Sequence, residues 1–329
     1  MKAGTEHAAW LADRERCLSS KRVGEDWARQ WNDHPLFSDL RADLAAIDRN
    51  SAAAVLRAAD RFMDRSADLE ALFSSLIALA SAYPFLTPPL AATVTEINTG
   101  YLLFADMNLT ISIGVIGRDA LAAKKLAAEG TTAIPFTGLL TSYRFLKSGG
   151  ATLSFWEAPP VTSDFVGDVA RSCRFEGRRR IEDREALLLD GRSQSLVIEH
   201  LASDMLCLQA SVQIEAAPLS VDYDSRTLHY LGATSTDEAS SRTQMMVTLL
   251  RLMDRTDAMP VIEGALASPH FYTRWHVMRE MLALDADGAL PHLRRLARSD
   301  PHPEVRFAAV QALSLFFNEE AEEMLQCRA

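Results

Sequence analysis

The spacing of apolar positions divides the chain into three stretches. The first, residues 1–92, carries helical periods. In "GEDWARQWNDHPLF", Trp27 and Trp31 stand four apart on one predicted helix face, and Pro35 closes the segment. "SAAAVLRAADRFMDR" opens on Ser51, a residue suited to an N-cap, and gathers Val55, Leu56, Ala59 and Phe62 on one side. "SADLEALFSSLIALASAY" has Ser66 as a cap, followed by the stripe Leu69, Leu72, Phe73, Leu76, Leu79, Ala80 and Tyr83. Three prolines in "PFLTPPL" cannot continue that helix, because they lack donors and clash with the preceding turn.

In residues 93–235 the pattern changes to short β-rich runs. "YLLFADMNLTISIGVI" reads as a hairpin around "ADMN". "TGLLTSYRFLKSGGATLSFWEAP" reads as a second one, turned by Ser148-Gly149-Gly150, with Tyr143 and Trp156 on its facing strands. Between them, "RDALAAKKLAAEG" predicts a short helix that stops at Gly130. A meander follows, with strands at 186–189, 195–199 and 205–211, and "RTLHYLG" is read as the last strand. Short strands with tight turns imply an antiparallel barrel or sandwich.

Residues 236–329 return to the helical period. "TDEASSRTQMMVTLLRLMDR" repeats through Met245, Leu249, Leu252 and Met253. Then "SPHFYTRWHVMREML" and "SDPHPEVRFAAVQALSL" align at an offset of 32 residues, pairing Pro269 with Pro301, His270 with His302, Arg274 with Arg306, Trp275 with Phe307, Met278 with Val310 and Met281 with Leu313. An apolar helix precedes each. Self-similarity at this period marks stacked helical hairpins.

The second unit, with its Asp-Pro turn at Asp300-Pro301, then Val305-Arg306, Ala308-Ala309 and Ala312-Leu313, resembles the short HEAT-like repeat. In the first unit Thr273 stands for the Val, and His276 and Val277 for the paired Ala. The resemblance implies protein-binding surfaces, and a short ladder in which Arg274 and Arg306 bond to neighbouring turns. The stretch "RRRIEDREALLLDGRSQSLVIE" resembles a cupin-type β-barrel, but that family's pair of His one residue apart, its Glu and its later His are missing. The resemblance then implies a barrel without its metal site. The expected fold class is α+β: N-terminal helices, a central antiparallel β barrel or sandwich, and C-terminal HEAT-like α-hairpin repeats.

Composition narrows the function classes. The net charge of −10 disfavours general nucleic-acid binding, and in the one basic cluster, "RFEGRRRIEDRE", acids nearly balance bases, as on a solvated strand edge or turn. No run of about 18 apolar residues predicts a membrane span. The start of the chain lacks a signal-peptide pattern, and Cys17, Cys173, Cys207 and Cys327 form no CxxC pair, so a cytoplasmic protein with reduced thiols is expected.

No Walker loop, GxGxxG, GxSxG or HExxH occurs. His276 and Glu280 have the one-turn spacing of a metal pair, yet the repeat alignment gives His276 a packing position. Asp222 and Asp224 in "SVDYDSR" read either as acid, base or metal ligands or as a solvated loop. Asp190 reads as a turn residue; His200 and His229 lack a His partner nearby. The leading expectation is a non-catalytic adaptor that binds a protein or peptide through the repeats, with Arg274, Arg306, Trp275 and Phe307 as partner-binding or ladder residues, and through the β-domain rim. No cofactor and no metal are expected, and homodimer formation is left open. The alternatives are an enzyme using His200, His229, Asp222 or Asp224 in a β-domain cavity, and a small-molecule sensor with that cavity as its pocket.

Overall fold

A computed structural model describes residues 2–83, 85–86, 88, 90–128, 132–162, 165–167 and 170–317. The helix stop expected at Gly130, two of the prolines after residue 83 (Pro84 and Pro89) and Cys327 lie outside the described residues. The protein is α+β. The chain divides into two compact units: residues 1–134, 139–157 and 175–216 form the first, and 135–138, 158–174 and 217–329 the second.

The first unit opens with five helices, α1 (Lys2–Ala12), α2 (Arg14–Asn32), α3 (Pro35–Ala46), α4 (Ala52–Met63) and α5 (Ser66–Ala82). Their starts follow local chemistry. The Ser51 hydroxyl accepts from the Ala54 amide at 3.3 Å, as its type predicts. Pro35 ends nothing directly; it opens α3, where its fixed φ suits a first turn and its missing donor costs nothing. Ser66 is the first residue of α5, whose cap position is Arg65, with no side-chain bond.

A six-stranded antiparallel sheet has the order β1 (Ala92–Val94), β2 (Asn98–Ala105), β3 (Leu109–Ile116), β10 (Met205–Val212), β5 (Leu140–Lys147), β8 (Glu185–Asp190). Alternation sorts its two faces. Leu109, Ile111 and Ile113 of β3 and Leu208, Ala210 and Val212 of β10 join Val55, Ala59 and Phe62 of α4 and Leu69, Leu72 and Leu76 of α5 in one core. Each such fully buried Leu, Ile or Phe contributes roughly 1.5–3 kcal/mol. Ser142 and Arg144 of β5 face the same helices; Ser142 donates to Asp60 at 2.7 Å, and Arg144 reaches Asp60 at 3.0 Å and Asp64 at 2.8 Å.

The opposite face, with Phe145, Met205 and Cys207, packs against Leu153, Ile181 and Leu201, with Tyr143, Phe155, Leu196 and Ile198 around them. Leu153 and Phe155 belong to β6 (Thr152–Glu157) and Leu196 and Ile198 to β9 (Gln194–His200), in a three-stranded sheet of order β7 (Arg174–Arg180), β6, β9. A short helix, α6 (Arg118–Ala127), adds Leu121 to this cluster.

Two strand pairings differ from the expected ones. β5 and β6 do not form a hairpin: β5 pairs with β10 and β8, and β6 with β9. The Gly149-Gly150 corner, with φ of +60° and +65°, carries the chain from one sheet to the other, so Tyr143 and Trp156 lie in different sheets. The expected meander also fails, because β8, β9 and β10 each pair with an earlier strand. The basic strand β7 does lie at a sheet edge, largely exposed.

The second unit holds β11 (Leu219–Asp224) and β12 (Tyr230–Ser235), which form a three-stranded sheet with β4 (Ala133–Phe136) in the order β12, β11, β4. The last strand starts later than expected, since Leu228, at φ +62°, still belongs to the preceding turn. Then come α7 (Glu238–Leu252), α8 (Met259–Gly264) with a 3-10 turn, α9 (Phe271–Leu284), α10 (Ala286–Ser299) and α11 (Pro303–Phe317). Met278, Met281, Leu293, Val305, Ala309 and Leu313 fill their core. Among the described residues, no helix is long and apolar enough to cross a membrane.

Candidate functional site

The two aligned units build the same turn. In the first, the His270 amide donates to the Ser268 hydroxyl at 3.3 Å before α9 begins; in the second, the His302 amide donates to Asp300 Oδ1 at 2.8 Å before α11 begins. Each Arg then ties its helix to its own turn: Arg274 donates to the Ser268 and Pro269 carbonyls at 3.0 Å each, and Arg306 to those of Asp300 and Pro301 at 2.5 and 3.0 Å. Arg274 also reaches into the following unit, gripping the Asp300 carboxylate at 2.8 and 2.7 Å.

With these helices fixed, positions i, i+3 and i+4 of each face one groove. Tyr272, Trp275 and His276 of α9 line it opposite Glu304, Phe307 and Ala308 of α11, at the same 32-residue offset. Ser241 and Gln244 of α7 and Ala233–Ser235 of β12 complete walls around about 730 Å³, a volume typical of binding clefts. Tyr272 is oriented by a 3.0 Å bond between its hydroxyl and that of Ser235, and burial pushes its phenol pKa up. Phe307 is 64% exposed. Arg279 and Glu304 both line the groove and make no ion pair among the described residues.

His276 and Glu280 serve an interface between helices. His276 Nε2 lies 2.9 Å from Thr248 Oγ1 and 3.2 Å from the Gln244 carbonyl, and 3.8 Å from Glu280, which binds Arg251. Gln244 donates to Thr273 at 3.1 Å. The polar side of α7, Gln244, Thr248 and Arg251, thus packs on α9. Its apolar side points outward, with Met245 67%, Leu249 55% and Leu252 67% exposed.

The other candidates stand apart. His200 ends β9 in the first unit and is exposed. Asp222 and Asp224 sit on β11 rather than in a loop. Burial pushes the Asp222 carboxyl pKa up, while Asp224 accepts the Thr227 and Arg226 amides at 2.7 and 2.8 Å, which holds it low and closes the turn. His229 is exposed, bridged to Ser172. Asp190 closes a turn by accepting from Arg192. Among the described residues no cluster of three His, Cys, Asp or Glu could hold a metal. Tyr272, Arg279, Glu304 and Gln244 were not singled out from the sequence, although the offset that pairs Trp275 with Phe307 also pairs Tyr272 with Glu304.

No curated protein matches the chain. Among solved structures, similar ones include an ectoine synthase from P. lautus (13% identity, 37% of this chain and 67% of that one, TM-score 0.23). A cupin domain from Bordetella pertussis Tohama I gives 7%, 37%, 98% and 0.23 on the same measures, and a polyketide cyclase from Streptomyces resistomycificus 11%, 38%, 74% and 0.23. Residues 232–314, which contain the groove's α7, α9 and nearly all of α11, match the family model for HEAT repeats.

Proposed function

We propose that this protein is a non-catalytic adaptor whose HEAT-repeat region holds a peptide segment of a partner protein in the groove between α9 and α11. The observation that carries this reading is the repeated display of aromatic side chains at one face: Trp275 and Phe307 at equivalent positions, with Tyr272 beside them. Rigid aromatic anchors supply most of the energy of peptide and protein recognition at small entropic cost. Arg279 and Glu304 then fix the direction of a bound segment through its charges. Arg274 and Arg306, tied to turns, support the helices without touching the ligand.

The enzyme and sensor readings both need a cavity in the β region, and the first unit's strands are one place for it. That interior is occupied by Phe145, Leu153 and Ile181, each no more than 2% exposed.

Selection of displayed random peptides on the full-length protein tests the proposal. Enriched peptides should lose at least about tenfold in affinity, 1.4 kcal/mol, on Trp275→Ala or Phe307→Ala. Peptides that bind both variants as well as the parent chain would refute it.

A further inference from the structure

The exposed side of α7 is a second surface, separate from the groove. Met245, Met246, Leu249, Leu252 and Met253 are 67, 66, 55, 67 and 55% exposed. At 100° per residue they occupy an arc of about 120°. The end of a helical stack is normally faced with polar residues to keep it soluble. Here the inward face instead mixes Val247 and Leu250 with polar residues in the pairs Gln244–Thr273, Thr248–His276 and Arg251–Glu280, and the outer face is left apolar. The apolar arc amounts to on the order of 600 Å² per copy, close to the ~800 Å² that each side of a standard interface buries.

The arc is also self-complementary. Counting outward from Leu249, apolar residues occur three and four positions before it, Met246 and Met245, and three and four after it, Leu252 and Met253. A two-fold axis through Leu249 therefore lays Met245 on Met253 and Met246 on Leu252, apolar against apolar. The charges at the ends match as well. Arg242 lies within the arc at its start, paired only with Glu238 of its own helix, and Asp254, exposed just past the arc's end, makes no ion pair among the described residues. An antiparallel pair brings the Arg242 end of one helix against the Asp254 end of the other.

We infer that α7 is a homodimerisation helix, packing antiparallel against α7 of a second copy about an axis at Leu249. Flexible methionines on both sides let the seam close without a finely cut shape. Because Ser241 and Gln244 of the same helix line the groove, a dimer carries two grooves on one assembly and binds a two-site partner with the gain of avidity.

Sedimentation equilibrium of the full chain over roughly 1–100 µM, together with directed crosslinking, tests this. The unaltered chain should be a dimer. Leu249→Glu and Met245→Glu should each weaken it at least about tenfold while leaving the circular dichroism unchanged, and the melting temperature unchanged at dilutions where the unaltered chain is a monomer, since both sites are exposed. Leu249→Cys should give a disulfide-linked dimer under mild oxidation, above the background of the unaltered chain, and Leu126→Cys, at an exposed site of the first unit, should not. A monomer throughout, a dimer indifferent to Leu249→Glu, or a Cys at 249 that is shielded from thiol reagents within a monomer would each overturn the inference. Loss of peptide binding in Trp275→Ala with the dimer intact separates this surface from the groove.

Discussion

Arg274 and Asp300 form a two-pronged ion pair at 2.8 and 2.7 Å, and the two side chains are only 8 and 1% exposed. They join α9 of one repeat to the turn that starts α11 of the next. Taking one partner away strands the other charge in a dry place. Asp300→Ala should therefore lower stability by about 3–5 kcal/mol, read as a shift in the urea midpoint at constant slope. Replacing both by apolar residues, as Arg274→Met with Asp300→Leu, removes the stranded charge and should recover part of that, the remainder being the bonds lost by the His302 amide and the Ser268 and Pro269 carbonyls. A loss below about 1 kcal/mol for the single variant would mean the pair is solvated.

The inside-out arrangement of α7 makes an unusual stability pattern. Leu249→Ala removes an exposed side chain and should change stability by no more than about 0.5 kcal/mol in the monomer. Val247→Ala, at a site 4% exposed, should cost about 1–3 kcal/mol. Thr248→Val, which loses the bond to His276, should cost about 1 kcal/mol. Thermal melts of the three variants at dilute concentration check the order.

This helix also shows how far the sequence could be read. The period through Met245, Leu249 and Leu252 fixes which residues share a face, and the helix is there. Period does not say which face meets the protein, because that depends on what α9 offers, and α9 offers Thr273, His276 and Glu280. The repeat offset relates two copies of one local packing unit, so Arg274 and Arg306 could be matched by sequence, but each bonds to its own turn rather than a neighbour's, and among the described residues only Arg274 also reaches the next one. Strand partners were the least legible. Ser148-Gly149-Gly150 has the composition of a hairpin turn, but β5 pairs with β10, far along the chain, in a register from Lys147 with Leu206 to Leu140 with Val212, and such a pairing leaves no mark on local spacing.

The same corner gives a backbone test. At Gly149 a Cβ would lie 2.4 Å from the Ser203 carbonyl oxygen, at a φ of +60°. Gly149→Ala should cost about 1–3 kcal/mol. At Gly232 nothing lies within 4 Å of the added atom, so Gly232→Ala should be neutral or stabilising by up to about 1 kcal/mol. Denaturant titrations of the two variants side by side suffice.

His302 stacks on Phe271 with ring centres 3.7 Å apart, and burial, aided by Arg274, pushes its pKa down against the pull of Glu304, the Phe165 backbone and Asp300. A depressed histidine means that the unfolded chain binds the proton more readily. The stabilisation is complete above the unfolded value of about 6.5 and fades as pH falls toward the depressed folded value. The urea midpoint should drop between pH 7.5 and 5, and His302→Gln should flatten that slope. An unchanged slope in the variant would assign the pH response elsewhere.

Hydrogen–deuterium exchange of the full chain, with and without a saturating groove-selected peptide, tests the assignment of binding to the HEAT-repeat region most directly. Slowed exchange is predicted at 271–279 in α9 and 303–308 in α11, with the first unit's strands unchanged. Protection centred on β6 and β9 of the first unit, with α9 and α11 unaffected, would contradict it and move the binding site to those strands.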